Sequence, residues 1–325
     1  MTLIPKKGLA AQREKELEEK LEAYRSSLSE EQLDAMVEKT KALEAYQEAG
    51  EDPKALECIP MLKRSDIKKE AAKIVNEELT VDNSLFLYHD VCTNGIGYVD
   101  LMFKTDSIAP EQIPYLGLLK SVLGYVDTEH YTYGELFNEI NANTGGINCG
   151  VEVFDRADST EEFQAMFSVR GKALYTKMDF LFKMIGEILN SSKLEDTKRL
   201  YEIVASVKSR AQVNLTGAGH STAVLRAAAY SSPMAAFQDE MAGIGYYQFI
   251  EKLEKDFEQR KEETVEELCK LMKKILRPEN FMISYTGERE SLETVQKLAG
   301  TVKAGLGTEP VEKSKEKLTC TKKNE

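Results

Sequence analysis

LFLYHDVCTNGIGYVDLMF, residues 85–103, contains two apolar runs on either side of a turn signal. The first run, Leu85–Tyr88, and the second, Tyr98–Phe103, are both typical of β-strands. Between them stands Thr93-Asn94-Gly95, whose Asn-Gly pair is typical of a tight turn. We therefore predict that these two strands pair with each other as a β-hairpin.

A second hairpin is predicted later in the chain. Ile147–Phe154 alternates as a strand, and its expected partner is Ala165–Arg170, across the acidic loop Asp155–Glu162. A last strand is predicted at Phe281–Tyr285. Apolar residues at helical spacing predict a helix at 110–123. A Thr132–Glu135 capping box begins a second helix, which ends at Gly145-Gly146. The same spacing predicts seven further helices, at Ala173–Asn190, Leu194–Asn214, Thr222–Tyr230, Pro233–Met241, Tyr246–Phe257, Glu262–Leu276 and Ser291–Ala304. This order of elements predicts an α+β fold with one sheet and one helical layer, because a doubly wound parallel sheet needs strict alternation.

The segment from Gly8 to Gly50 is helical by pattern and dense in Glu and Lys. Ser29 with Gln32 reads as a capping box that separates two helices, which predicts an antiparallel helical hairpin. We expect residues 1–52 to form this hairpin, 53–80 a connector marked by Pro53 and Pro60, 81–310 the α+β domain, and 311–325 a polar, frayed tail. In the connector, Ile59–Leu62 is the part expected to pin it to a neighbour.

Composition excludes several classes of function. The chain has 325 residues, a net charge of −12 and a pI near 5.1, which argues against nucleic acid or an anionic membrane as a partner. No apolar run reaches the roughly 20 residues that a membrane span needs. Its five scattered cysteines favour free thiols in a reducing compartment over a disulfide framework.

The start of the chain resembles an internal segment more than a leader. Met1 stands directly before Thr2-Leu3-Ile4-Pro5, as if an initiator had been placed on a piece of a longer polypeptide. Lys6, Lys7 and Arg13 lead into a charged helix, so no signal peptide is predicted.

Groups that hold a catalytic metal are sparse. The three histidines, His89, His130 and His220, include no His-x-x-Glu-His pair or its inverse, so two imidazoles cannot meet one zinc across a helical turn. His89 with Cys92 reads either as a metal or nucleophile pair or, more often, as a turn residue and a small buried one. Residues 217–222, GAGHST, read either as a weak phosphate loop or as a helix break with Ser221 or Thr222 as N-cap.

One stretch has a binding alternative that stays open. Gly145-Gly146 reads as a helix stop before a strand or as a place where a ligand backbone approaches closely. The edge of Ile147–Phe154 is suited to strand addition by an extended peptide, although most such strands are simply paired. The charged runs Glu14–Glu22 and Glu251–Glu263 read as solvated helix faces.

Several short motifs, in this order, resemble the presequence protease family of the insulinase superfamily, zinc peptidase family M16, subfamily C. They are the hairpin stretch 11–33, Ile59-Pro60-Met61-Leu62 with Asp66-Ile67, His89-Asp90 with Thr93-Asn94-Gly95-Ile96, Thr144-Gly145-Gly146-Ile147, Val169-Arg170-Gly171-Lys172-Ala173 and Gly217-x-Gly219-His220. The resemblance runs from about Leu3 to Leu306 and identifies the chain as the family's helical hairpin and third domain, a two-layer α/β sandwich of the LuxS/MPP-like type.

This resemblance implies a non-catalytic portion of a zinc metalloendopeptidase that degrades unstructured peptides. The zinc ligands then lie outside this segment, which binds no metal, and its partners are the other domains of the same polypeptide and the peptide substrate. Gly145, Gly146, Ile147 and Asn148 are the expected part of the substrate-chamber wall, and an acidic wall favours basic peptides. The implied location is the bacterial cytoplasm, or the mitochondrial matrix or a plastid in a eukaryote. The alternatives are an inactive scaffold subunit that binds a partner, and a hydrolase that uses His89 or His220.

Overall fold

The structure is a computed structural model, and it describes residues 6–70, 73, 75–156, 158–312, 314 and 318–321. It divides into two compact units, residues 1–72 and residues 73–325.

The first unit contains two long helices and a short one. They are α1 (Leu9–Ser26), α2 (Glu30–Glu48) and α3 (Pro53–Leu56). The predicted capping box is confirmed: the Ser29 hydroxyl accepts from the Gln32 amide, and the Gln32 side chain accepts from the Ser29 amide. Because this reciprocal cap satisfies two free N–H groups, α2 begins at a fixed residue. The antiparallel packing of α1 on α2 stays a prediction.

Apolar side chains of the first unit are uncovered. No residue of α1 or α2 is buried; Leu21 is 58% exposed and Tyr46 is 78% exposed. Ile59, Met61 and Leu62 of the connector are exposed as well. These side chains cannot contribute much folding energy by themselves, because apolar stabilisation scales with the area removed from water.

A six-stranded mixed sheet organises the second unit. Its strands are β1 (Glu77–Val81), β2 (Ser84–Asp90), β3 (Ile96–Lys104), β4 (Ile147–Arg156), β5 (Ser159–Leu174) and β6 (Phe281–Gly287). Their order across the sheet is β1-β2-β6-β3-β5-β4. β2 and β6 are parallel and the other neighbours are antiparallel.

The predicted pairing of β2 with β3 is wrong, although the predicted turn between them is correct. Asn94 and Gly95 have φ of 53° and 82°, the left-handed values that such a turn requires. The late strand β6 lies between β2 and β3 and pairs with both. Phe281, Ile283 and Tyr285 of β6 are buried, and a central position in the sheet covers such a strand better than an edge does. The turn signal fixes the local bend but not which strand lies beside which.

The β4–β5 hairpin is confirmed as an antiparallel pair. Its strands are longer than predicted: most of the acidic stretch 155–162, expected to be a loop, belongs to strands that end at Arg156 and resume at Ser159. A register irregularity at Asp155/Arg156 marks the tip. Acidic residues are tolerated there because the hairpin extends beyond the core and exposes them to water.

Nine further helices lie in the described part of the second unit: α4 (Ile113–Val122), α5 (Tyr133–Asn143), α6 (Met178–Ser191), α7 (Thr197–Gly217), α8 (Gly219–Ala229), α9 (Pro233–Ala242), α10 (Ile244–Lys255), α11 (Phe257–Ile275) and α12 (Leu292–Ala304). The Thr132–Glu135 capping box is confirmed. Neither Ser221 nor Thr222 caps α8; Ala218 precedes the helix without a side-chain cap, and Ser221 lies in its first turn.

The two faces of the sheet differ in chemistry. One row across the strands is apolar, Phe86, Ile283, Leu101 and Val169, and these side chains join the single large core that the helices complete. The next row is polar, Ser284, Asp100, Arg170 and Asn148, and lies on the opposite face. The alternation confirms the α+β class, with the helices packed on the apolar face of the sheet.

The C-terminal stretch predicted as a frayed tail makes contacts where it is described. The Ser314 amide donates to the Ser107 carbonyl at 3.1 Å, and the Thr321 amide donates to the Ala229 carbonyl at 2.8 Å. Leu318 packs against the core.

Candidate functional site

The predicted wall residues Gly145–Asn148 lie where α5 ends and the edge strand β4 begins. The Gly145 amide donates to the Lys172 carbonyl at 2.7 Å, and the Gly146 amide donates to the Thr144 hydroxyl at 3.0 Å. Gly146 has φ of 104°, a region closed to most L-residues, and a Cβ on Gly145 would lie 2.6 Å from Lys172 Cγ. The backbone geometry and close packing of this turn are therefore sufficient to explain why glycine stands at both positions, and no ligand is needed.

A cleft of about 610 Å³ follows the outer edge of β4. Consecutive residues from Gly145 to Glu152 line it, together with parts of α4, α5 and α7. Since alternate residues of a strand point to opposite faces, a cavity lined by consecutive residues lies against the strand edge itself. β4 is the last strand of the sheet, and in the described part of the chain its outer edge pairs with no other strand.

A second cavity, of about 320 Å³, lies on the polar face of the sheet and shares Gly145, Gly146 and Asn148 with the first. Its charged centre is Arg170, whose Nε donates to Asp100 Oδ2 at 2.7 Å and whose Nη1 lies 3.2 Å from Glu152 Oε1. The Asp100 hydrogen bond raises the pKa of Arg170, so this cation stays charged and is already paired. Gly145–Asn148 thus lie at the junction of two cavities, one along the strand edge and one on the face.

The described residues do not fit a catalytic zinc site. No group of three or more His, Cys, Asp and Glu side chains is arranged to hold a metal in the ranges that the structure describes. His89 has both ring nitrogens engaged, Nδ1 at 2.7 Å from the Val75 carbonyl and Nε2 at 3.2 Å from the Ser284 hydroxyl. His130 contacts Glu187 at 3.0 Å, and His220 is exposed on α8. The three histidines therefore lie in different parts of the fold and do not form one site.

The His89–Cys92 pair weighed from sequence is not brought together as a reactive site. His89 lies in β2 with the partners named above, whereas Cys92 is exposed and contacts Asn94 at 3.9 Å. All five cysteines are free thiols. Burial raises the pKa of Cys149 to about 12, which makes that thiol a poor nucleophile at neutral pH.

Sequence reasoning missed one polar cluster, built around Glu288 directly after β6. Its carboxylate accepts from the backbone amides of Thr93, Asn94 and Gly95 at 3.1–3.3 Å, and from the Tyr175 hydroxyl. The Tyr175 hydrogen bond lowers the pKa of Glu288 to about 2, with smaller contributions from the Cys92 thiol and the amides of Gly95 and Thr93. The cluster fastens the 93–95 turn across the end of β6. An acidic residue at the end of the last strand is the signal that could have found it.

A second missed cluster is buried among α8, α9 and α10. The fully buried Asp239 pairs with Arg226 at 2.6 Å, and its oxygens accept from the amides of Ile244 and Gly245 at the start of α10. These contacts connect α8 to α9 and to the start of α10, so the pair organises three helices.

In the described ranges, no helix combines the length and apolar character that crossing a bilayer requires.

The family model for the region associated with M16 peptidases of subfamily C matches residues 3–253. The chain belongs to this family, and the relatives below identify it as similar to presequence proteases of peptidase family M16, as its motifs predicted. It is 33% identical over 325 residues to Protein HypA of Clostridium perfringens, covering 100% of this chain and 33% of that protein. It is 28% identical over 286 residues to presequence protease 1, chloroplastic/mitochondrial, of Arabidopsis thaliana, covering 87% of this chain and 26% of that protein. The chain thus spans about a third or less of these relatives.

Solved structures agree on the fold. A protease from Helicobacter pylori matches with a TM-score of 0.52 and 15% identity, over 75% of this chain and 54% of that one. At this identity the likeness supports the fold alone.

Proposed function

We propose that this chain is a non-catalytic portion of a zinc-dependent metalloendopeptidase that degrades unstructured peptides. In this proposal residues 1–52 are a helical hairpin that acts as a hinge, and residues 81–310 are the third α+β domain, of the insulinase type. The observation that carries the proposal is the family match over residues 3–253. The zinc ligands then belong to residues outside this sequence.

The proposed role of the second unit is to form part of the wall of a substrate chamber at Gly145, Gly146, Ile147 and Asn148. Two cavities meet there, and the outer edge of β4, which pairs with no strand in the ranges that the structure describes, offers backbone N–H and C=O groups to an extended peptide. A wall needs shape and charge rather than proton-transfer groups. The net charge of −12 attracts basic peptides over a distance comparable to the Debye length, about 8 Å at physiological salt.

The test uses the complete polypeptide translated from the reading frame that contains this sequence. Asn148→Trp places a bulky side chain where the two cavities meet, and we expect KM for an unstructured peptide to rise at least about fivefold with little change in kcat, since the wall binds substrate without taking part in chemistry. Thr80→Trp is the matched control, because Thr80 is exposed on β1, the opposite edge strand. Equal KM values for the two variants would count against the wall.

The 325-residue chain alone provides the complementary measurement. We expect it to release no product from a fluorogenic peptide in a chelator-sensitive reaction, and to retain no stoichiometric zinc after dialysis. Zinc-dependent cleavage by this chain alone would refute the non-catalytic assignment.

A second candidate function is an inactive scaffold subunit that binds a separate partner through α1 and α2. The exposed apolar side chains of these helices favour it. The reading frame upstream of Thr2 distinguishes the two candidates: an in-frame domain with His-x-x-Glu-His supports the peptidase, and a natural start at Met1 supports the scaffold.

We also propose a reducing location, the bacterial cytoplasm or, in a eukaryote, the mitochondrial matrix or a plastid. The five free thiols support it.

A further inference from the structure

Two cations line the cleft along the edge of β4. Lys120 of α4 and Arg210 of α7 both line it. Among the described residues, neither side chain has a hydrogen bond or an ion-pair partner within 4 Å, although most other Arg side chains of the second unit do. Arg210 is exposed and Lys120 is half-buried, so two cations that the core does not require are accessible on one cleft.

The carboxylate that lines this cleft is already paired with another residue. Glu152 is the one carboxylate that lines the described part of the cleft, and Arg170 holds it at 3.2 Å from the other side of β4. Glu152 compensates Lys120 only in part: burial still lowers the pKa of Lys120. A half-buried ammonium without a full partner destabilises the free protein, and an incoming carboxylate relieves that cost.

The same cleft follows the outer edge of β4, which pairs with no other strand among the described residues. Gly146 and Gly150 line the cleft, and Asn148 between them is exposed. An extended peptide that adds to this edge therefore passes the two cations while its backbone pairs with β4.

From these observations we infer that the cleft recognises a carboxylate on an extended peptide, bound by Lys120 and Arg210. The carboxylate is either the C-terminus of the peptide or an acidic side chain. This inference rests on the proposed peptide-binding role and adds the chemical group that is selected. It is compatible with the acidic net charge, because steering of a basic peptide acts at long range and the two cations act on contact.

The experiment measures binding of three fluorescein-labelled peptides to the 325-residue chain by fluorescence anisotropy. The peptides share one unstructured basic sequence: one has a free C-terminus and no acidic residue, one is amidated with an internal Glu, and one is amidated with Gln in its place. We expect a carboxylate-bearing peptide to bind about tenfold more tightly than the amidated Gln peptide, as one charge-assisted hydrogen bond predicts. Which of the two carboxylate peptides gains affinity tells a free C-terminus from an acidic side chain.

Variants assign the effect to the two cations. Lys120→Met and Arg210→Gln should each weaken the carboxylate peptide about tenfold and leave the Gln peptide within about twofold. Lys120→Arg should retain the preference. Lys198→Gln is the matched control, because Lys198 is exposed on the same helix as Arg210, does not line the cleft and carries the same charge. Circular dichroism confirms that each variant is folded.

The possible results distinguish the carboxylate inference from the peptide-binding role on which it rests. If a carboxylate and an amide bind equally, or if the preference survives in the Lys120→Met/Arg210→Gln double variant, the carboxylate inference is wrong and the peptide wall stands. If no peptide binds at all, the peptide-binding role of the edge fails and the inference fails with it.

Discussion

Removal of the buried Asp239 carboxylate should strongly destabilise the second unit. Asp239 is 0% exposed, pairs with Arg226 at 2.6 Å and accepts two amides at the start of α10. Asp239→Ala leaves Arg226, whose side chain is 17% exposed, without its partner. This costs about 3 kcal/mol, the lower end of the range for a buried pair, and the loss of the cap costs about 1 kcal/mol more. We expect a loss of about 4 kcal/mol in the free energy of unfolding, or about 10 °C in Tm.

The assay is urea or thermal unfolding followed by far-UV circular dichroism and tyrosine fluorescence, since the chain has 14 Tyr and no Trp. Arg226→Met and the Arg226→Met/Asp239→Ala double variant complete a thermodynamic cycle. The double variant should lose less than the sum of the two single losses by about 2 kcal/mol, because no unpaired charge remains in it.

Glu266→Ala provides the control for this cycle. Glu266 pairs with Lys270 at 2.8 Å on an exposed face of α11, so its removal should change stability by less than about 0.5 kcal/mol. Additive losses in the cycle, or an Asp239→Ala variant as stable as Glu266→Ala, would refute the argument that an isolated buried charge dominates the cost.

Three further predictions concern single residues. The folded-state pKa of Glu288, about 2, lies below the ordinary value of 4.5. The stabilisation that the Glu288 carboxylate provides is therefore complete above about pH 4.5 and is lost as the pH falls towards 2. Glu288→Gln should remove this part of the pH dependence, measured as urea midpoints from neutral to acidic pH. Gly146→Ala should destabilise the second unit by about 1 kcal/mol or more, measured by thermal unfolding, because φ of 104° is strained for alanine. In an alkylation time course read by mass spectrometry, the exposed Cys58 and Cys92 should react first and Cys149 last, because burial raises its pKa to about 12.

Each of these has its own contradicting result. Parallel pH profiles for Glu288→Gln and the unmodified protein would deny the carboxylate its role in fastening the turn. A Gly146→Ala variant as stable as Gly134→Ala, which has open space around its α-carbon and no positive φ, would mean that the turn relaxes freely. Early modification of Cys149 would show that the β4 edge opens readily.

Local features of the fold were predictable from sequence because short-range chemistry determines them. Both capping boxes, at Ser29 and at Thr132, form as their spacing predicts. The β4–β5 hairpin forms because its two strands are close in sequence. Helix boundaries shifted by a few residues, as they do wherever a helix end lacks a side-chain cap, with α11 beginning at Phe257 rather than near Glu262.

Features that depend on distant residues were not predictable. The insertion of β6 between β2 and β3 joins residues nearly two hundred positions apart, such as Tyr88 and Gly287. The Glu288 cluster has the same origin, since it links the end of one strand to a turn far earlier in the chain. Of the candidate site, the position of Gly145–Asn148 followed from strand and turn signals. The cations Lys120 and Arg210 did not, because they lie on two different helices that meet only in the folded chain.

The central place of β6 also constrains how this polypeptide folds during synthesis. Strands β2 and β3 leave the ribosome long before β6, yet each needs β6 as its neighbour. Until then the strand edges that β6 will occupy are open to other nascent chains, and such long-range pairing folds slowly and is prone to aggregation. Chaperone dependence should therefore fall sharply once residue 287 has left the ribosome.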